Sequence, residues 1–336
     1  MHTGRIGVVM DGAVGAGGSF ERGGAVLHAL IASGHDVVPV VLDPGSDPVA
    51  VLGGAGIDVA FLALDPRSGS DACVRSVLEW LGIPYTGSSP LATALAADKL
   101  KAKELFRLHN VPTPPYYVVE VGQGGADLAD IHGSFGFPVM VKARRSSAGV
   151  SAVKASNLLE LAAALERLFA RDDAALVERY IAGRELRVGL LGRRVLGVLE
   201  LAPEHNGTSG SRALMPARLG GARQAGVLNL GERAASALDT DGAVCVDLLV
   251  TEGQNEYVLG VDALPALEPG QPLPLLGEAA GYDLSALCEA VLSRARSPLG
   301  AAEAPRATVV PFPSQTIDDA ELARVAPSPT RRAFTA

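Results

Sequence analysis

The sequence is poor in cysteine and aromatics, carries no excess of positive charge, and has no long apolar run. Its three cysteines, at 73, 245 and 288, lie far apart and fit neither a zinc-ligand spacing nor a disulfide framework. A reducing, cytoplasmic setting is therefore expected. Hydrophobic residues reach 48 %, yet no run of them approaches the roughly 18 uninterrupted residues of a membrane span. No membrane partner is expected. The formal charge of −8 argues against nucleic acid as a main partner, because phosphate backbones demand concentrated Lys and Arg. Gly4–Met10 runs straight into a strand and a Gly-rich turn, unlike a secretory signal.

What is present is alternation. At 336 residues the chain can build two or three domains. Ile6–Met10, Val37–Leu42 and Val59–Leu64 predict strands, and Gly23–Ala32 and Asp71–Leu81 predict helices closed by Gly34 and Gly82. That is the pattern of a parallel α/β layer. Asp98–His109 predicts a charged helix, stopped by Val111-Pro-Thr-Pro-Pro115, and a domain boundary is expected near residue 97. A second unit follows, with strand Phe137–Lys142, small-residue loop Ser146–Ser151, helix Asn157–Ala170 and strand Ala175–Ile181. Asn157 and Glu160 are spaced as a capping box for that helix. From Glu185 the chain is strand-rich, through Leu186–Leu191, Val195–Leu201 and a hairpin over 243–263; helix Leu284–Ala295 follows, capped by Asp283. Prolines at 298, 305, 311, 313, 327 and 329 predict a disordered tail over 298–336, where a protein partner could dock.

The turn Asp11–Phe20 invites a nicotinamide reading but fails G-x-G-x-x-G, since Phe20 stands where the third glycine belongs. The hairpin carries more chemistry. Pairing Cys245–Val250 with Tyr257–Pro265 brings Asp247 close to Gly260 and Asp262. Two further tracts stand out, Leu81–Ser89 leading to Ala97-Asp-Lys99, and Val177-Glu-Arg-Tyr-Ile181 with Gly183 and Glu185 beyond. Together these segments resemble D-alanine–D-alanine ligases of the ATP-grasp superfamily, from residue 6 to about 297.

The resemblance implies an α/β fold, with an N-terminal parallel α/β (pre-ATP-grasp) domain over 1–97. Two α+β ATP-grasp subdomains would follow over 98–184 and 185–297, then the tail. It implies ATP and Mg²⁺ as cofactors, and it suggests a homodimer. Lys99 and Lys142 match lysines that contact ATP, and Glu178, Tyr180, Ile181 and Glu185 match the residues around adenine and ribose. Asp247 and Asp262 match metal positions. Ser19 and Ser147 are vestiges of substrate-site serines, and Ser146–Gly149 offers backbone N–H groups to phosphate.

Departures cluster where the chemistry sits. Gly260 stands for a metal-bridging Glu, Asp262 for an Asn, Cys245 for an Arg and Gly15 for a Glu that grips the amino group. The His and Glu of the family's His-Gly…Glu-Asp-Gly tract are replaced over Asp65–Ala72. The loop at 203–212 lacks the family's Tyr and Lys residues, and the Ser146–Ser151 loop is two residues short. Glu204 and His205 have no third partner for acid–base work. The first expectation is accordingly a nucleotide-binding pseudoenzyme with a regulatory or binding role, holding one cation at most. The alternative is an active ATP-dependent carboxylate–amine ligase with an altered metal site or substrate.

Overall fold

The computed structural model describes residues 4–12, 19–65, 71–123, 127–145, 152–203, 211–253 and 255–298. The expected tail, the loop 146–151 and most of the loop at 203–212 lie outside the described residues.

The N-terminal sheet is built from β1 (Ile6–Asp11), β2 (Val37–Leu42) and β3 (Val59–Leu62), all parallel in the order β2-β1-β3. Helices α1 (Ser19–Ala32), α2 (Pro48–Gly54), α3 (Asp71–Leu81) and α4 (Pro90–Ala97) accompany it. β1 is buried along almost its whole length, as a strand of a covered parallel sheet must be. α1 and α3 end at Gly34 and Gly82, both with positive φ, where glycine has no Cβ to clash. α2 and α4 escape prediction because they are short. Each starts at a side-chain cap, Asp47 or Ser89, followed by proline.

The second sheet is antiparallel. Helix α5 (Lys99–Leu108) leads to β4 (Tyr116–Glu120), α6 (Leu128–His132), β5 (Val139–Ala143), β6 (Val153–Ala155), α7 (Leu158–Phe169) and β7 (Ala174–Arg179). The strand order is β4-β7-β5-β6. Asn157 caps α7 as expected, accepting from the Glu160 N–H at 2.9 Å, and Glu160 reaches back to the Ser156 N–H at 2.8 Å. β7 stops at Arg179, two residues short of the expected Ile181.

The third sheet contains β8 (Arg184–Leu191), β9 (Arg194–Pro203), β10 (Ser211–Leu214), β11 (Ala243–Val250) and β12 (Glu256–Asp262) in the order β10-β9-β8-β11-β12. Helix α8 (Gly221–Ala237) lies between β10 and β11 in the chain, and α9 (Pro272–Ala279) and α10 (Leu284–Leu292) follow β12. α10 is capped by Asp283, which accepts from Ala286 N–H at 2.7 Å. The hairpin has the expected register, Asp247 opposite Gly260 and Cys245 opposite Asp262, with an irregularity after Asp247. No helix among the described residues is long and apolar enough to cross a membrane.

Candidate nucleotide site

Helix α5 sets the first cations. Asp98 caps it, accepting from the Leu100 and Lys101 N–H groups at 3.1 Å each, and Arg144 grips the same carboxylate at 2.8–3.1 Å. Lys99 begins the helix, and Lys103, one turn later, shares its face. On β5, Lys142 points to the face that Glu178 of β7 shares, one diagonal step across the antiparallel pair. Lys142 donates to Glu178 at 2.8 Å, and the Lys103 ammonium lies 3.1 Å from the other carboxylate oxygen. Glu178 is thus a buried anion clamped between two ammonium groups. Burial, aided by Lys142, pulls the Lys99 pKa below its usual value. Burial likewise brings Lys103 down to about 8, opposed by Glu178. Lys103 also donates to the Thr113 hydroxyl, which in turn donates to the Val258 carbonyl of β12 at 2.9 Å. That chain of bonds ties α5 to the third sheet.

The acidic end is built across three strands. Arg187 of β8 pairs in register with Asp247 of β11, which pairs with Gly260 of β12, so the three positions form one row. Arg187 forks Asp247, Nε to Oδ1 at 2.6 Å and Nη2 to Oδ2 at 3.0 Å. Burial opposes the guanidinium's charge, but Asp247 outweighs it and raises the Arg187 pKa. Asp262 accepts from the Leu264 N–H at 3.0 Å, and burial pushes its carboxyl up. Burial also pushes up the Cys245 thiol, so it stays neutral where a positive charge was expected to be lost.

Mg²⁺ calls for hard oxygen ligands in near-octahedral array. Here both Asp247 oxygens are engaged by Arg187, Gly260 contributes no side-chain oxygen, and Asp262 Oδ1 already accepts from the Leu264 N–H. Asp247 and Asp262, expected to share one ion, do not make a fitting ligand set as they stand. Among the described residues no group of three or more His, Cys, Asp and Glu side chains is placed to hold a metal.

Both ends open into a single cleft of about 720 Å³, whose walls include Lys99, Lys142, Glu185, Arg187, Asp247 and Asp262. Glu178 sits behind this wall, reached through Lys142. Tyr180 and Ile181, expected beside adenine, follow the end of β7 and are not part of the lining. The Lys154 ammonium lies 3.9 Å from the centre of the Tyr180 ring, occupying one face of it. The Ser19 side chain, Ser147 and Gly15 lie outside the described residues. Sequence reasoning overlooked Lys103 and Arg187. The spacing of Lys99 and Lys103 was a usable signal for the first, since four residues apart means one helix face. A charged residue inside the apolar run Leu186–Leu191 was the signal for the second.

Comparison with known proteins agrees with this architecture. The profile of the family described as "D-ala D-ala ligase C-terminus" matches residues 105–293. The D-alanine–D-alanine ligase of Geobacter sulfurreducens is 41 % identical over 304 residues, which is 87 % of this chain and 94 % of that protein. That of Geotalea uraniireducens is 38 % identical over 306 residues, 88 % of this chain and 96 % of the other. A crystal structure of the Bacillus anthracis D-alanine–D-alanine ligase complexed with ATP superposes with a TM-score of 0.76 at 26 % identity, covering 86 % of this chain and 95 % of that one. With its ATP-grasp fold and this extent of similarity, the chain belongs to the D-alanine–D-alanine ligase family.

Proposed function

We propose that this protein is an ATP-dependent carboxylate–amine ligase of the D-alanine–D-alanine type, its residues altered at the expected metal positions. The observation that carries this reading is the convergence of Lys99, Lys142, Glu185 and Asp247 on one cleft. The likeness to relatives named ligases, over 94–96 % of their length, supports ligation ahead of the purely regulatory role expected first. In such a reaction a carboxylate attacks the terminal phosphorus of ATP and expels ADP, and an amine, giving up a proton, then displaces phosphate from the acyl phosphate. The work is positioning and neutralisation of the charge on the transferring group. Lys99 and Lys142 supply positive charge to the phosphates. Glu185, exposed where it lines the cleft, accepts from ribose hydroxyls in this reading. Glu178 orients Lys142 from behind rather than meeting the nucleotide itself.

One observation favours a second reading, nucleotide binding without ligation. The fork of Arg187 on Asp247 engages the carboxylate expected to serve the reaction. Phosphate release from ATP with D-alanine separates the two. The ligase reading expects steady turnover that Asp247→Asn lowers by about 10²–10³. A rise in thermal midpoint with ATP, but no phosphate released with any D-amino acid, would leave the second reading standing. Ligand at about 100 times its Kd should stabilise by about 2.7 kcal/mol.

A further inference from the structure

Arg187 is the feature of the cleft that the proposed reaction does not explain. It lies in the interior of a strand, in direct register with Asp247, and it lines the same cleft as Lys99 and Lys142. The pairing is a fork, with two charge-assisted hydrogen bonds of 2.6 and 3.0 Å, the geometry in which arginine and carboxylate fit best. Next along the row, Gly260 presents no side chain, and a Cβ built there would meet nothing within 4 Å. Space beside Asp247 is therefore open, while the carboxylate itself already has a cation. A guanidinium cannot lose its proton at accessible pH, and its remaining N–H groups are suited to phosphate oxygens. A divalent ion at Asp247 would have to share the carboxylate with this resident charge.

We propose that Arg187 is a built-in counter-ion standing in for a divalent metal in the cleft, so that the protein binds adenosine triphosphate without a divalent cation. Asp247 then acts as the positioning residue that holds the guanidinium toward the cleft. This rests on the nucleotide reading of the cleft, and both the ligating and the non-ligating version of that reading accommodate it.

Isothermal titration calorimetry of the full-length protein with ATP, once in excess EDTA and once in millimolar Mg²⁺, tests the idea. The expected result is a Kd in EDTA within about threefold of that in Mg²⁺. Arg187→Ala should weaken ATP binding in EDTA by about 10- to 100-fold, the usual loss for a charge-assisted contact, while adenosine, which has no phosphate, binds as before. Arg187→Gln, which keeps the length of the side chain, should show the same pattern if the alanine variant folds poorly. Binding that appears only with Mg²⁺ would overturn the inference and leave the nucleotide reading intact. Tighter ATP binding by Arg187→Ala would also overturn it, marking the guanidinium as an obstruction. No ATP binding in either buffer would sink the nucleotide reading and this inference together.

Discussion

Lys103 is fully buried beside Glu178, and burial, partly opposed by Glu178, lowers its pKa to about 8. In the unfolded chain a lysine titrates near ~10.4. Below about pH 8 both states hold the proton, and the fold then bears the whole cost of a buried charge. Between the two values the unfolded chain binds more protons than the folded one, so stability rises with pH. Above both, the group is neutral in either state. Urea unfolding at about pH 7.5 and about pH 9.5 should therefore show wild type gaining roughly 1–2 kcal/mol relative to Lys103→Met. A difference that stays constant across this window would mean that Lys103 keeps an ordinary pKa. The same residue shows what sequence hides. Lys99 and Lys142 stood out only through the family resemblance, since each alone reads as an ordinary lysine at the end of a helix or strand, whereas Lys103 acquires its meaning from Glu178, 75 positions away in the sequence. Arg187 is similar, since only the strand register reveals Asp247 as its partner.

Elements with clear periodicity and punctuation were readable, and the hairpin of β11 and β12 was readable down to its register, because two apolar runs flank one polar turn. Helix α8 was not. Its sequence, GARQAGVLNLGERAASA, is rich in small residues and lacks a strong apolar stripe, so packing rather than propensity holds it. Two of its glycines separate these causes. Gly226 is exposed with nothing within 4 Å of a built Cβ. Gly226→Ala should thus stabilise by about 0.5–1 kcal/mol, the helix-propensity difference. At Gly231 a Cβ would sit 2.8 Å from Val188 Cγ1 and 3.0 Å from its Cβ. A short β-branched side chain on β8 has little room to yield. Gly231→Ala should gain the same propensity yet lose about 1–3 kcal/mol to overpacking, giving a net loss. Opposite signs in chemical denaturation would establish that contact with the sheet shapes this helix; equal stabilisation would return it to simple propensity.

At the scale of the molecule, the N-terminal sheet and the C-terminal helices share one core. Ile6, Val8 and Met10 of β1 and Leu30 of α1 belong to the same buried cluster as Leu273 and Leu276 of α9 and Leu287 and Val291 of α10. The contact continues at its edge, where Ser285 donates to the Ala29 carbonyl at 3.3 Å and His35 meets Glu289. Ile6 and Val291, 285 positions apart, are thus buried in one cluster, and β1 depends on α10 to exclude water. Leu287 is fully buried in this cluster, and truncating it removes both transfer free energy and packing. Leu287→Ala should cost about 2–5 kcal/mol. The loss should not stay local. Amide hydrogen exchange should speed up in β1 as well as in α10, because opening either exposes the same apolar surface. By contrast α7, which packs in a separate cluster with β5 and β7, should keep its local protection against sub-global opening. Faster exchange confined to α10, with β1 unchanged, would show that the two ends are stable independently. Protection lost together in β1 and α10 would mean that this core is held by the two elements jointly.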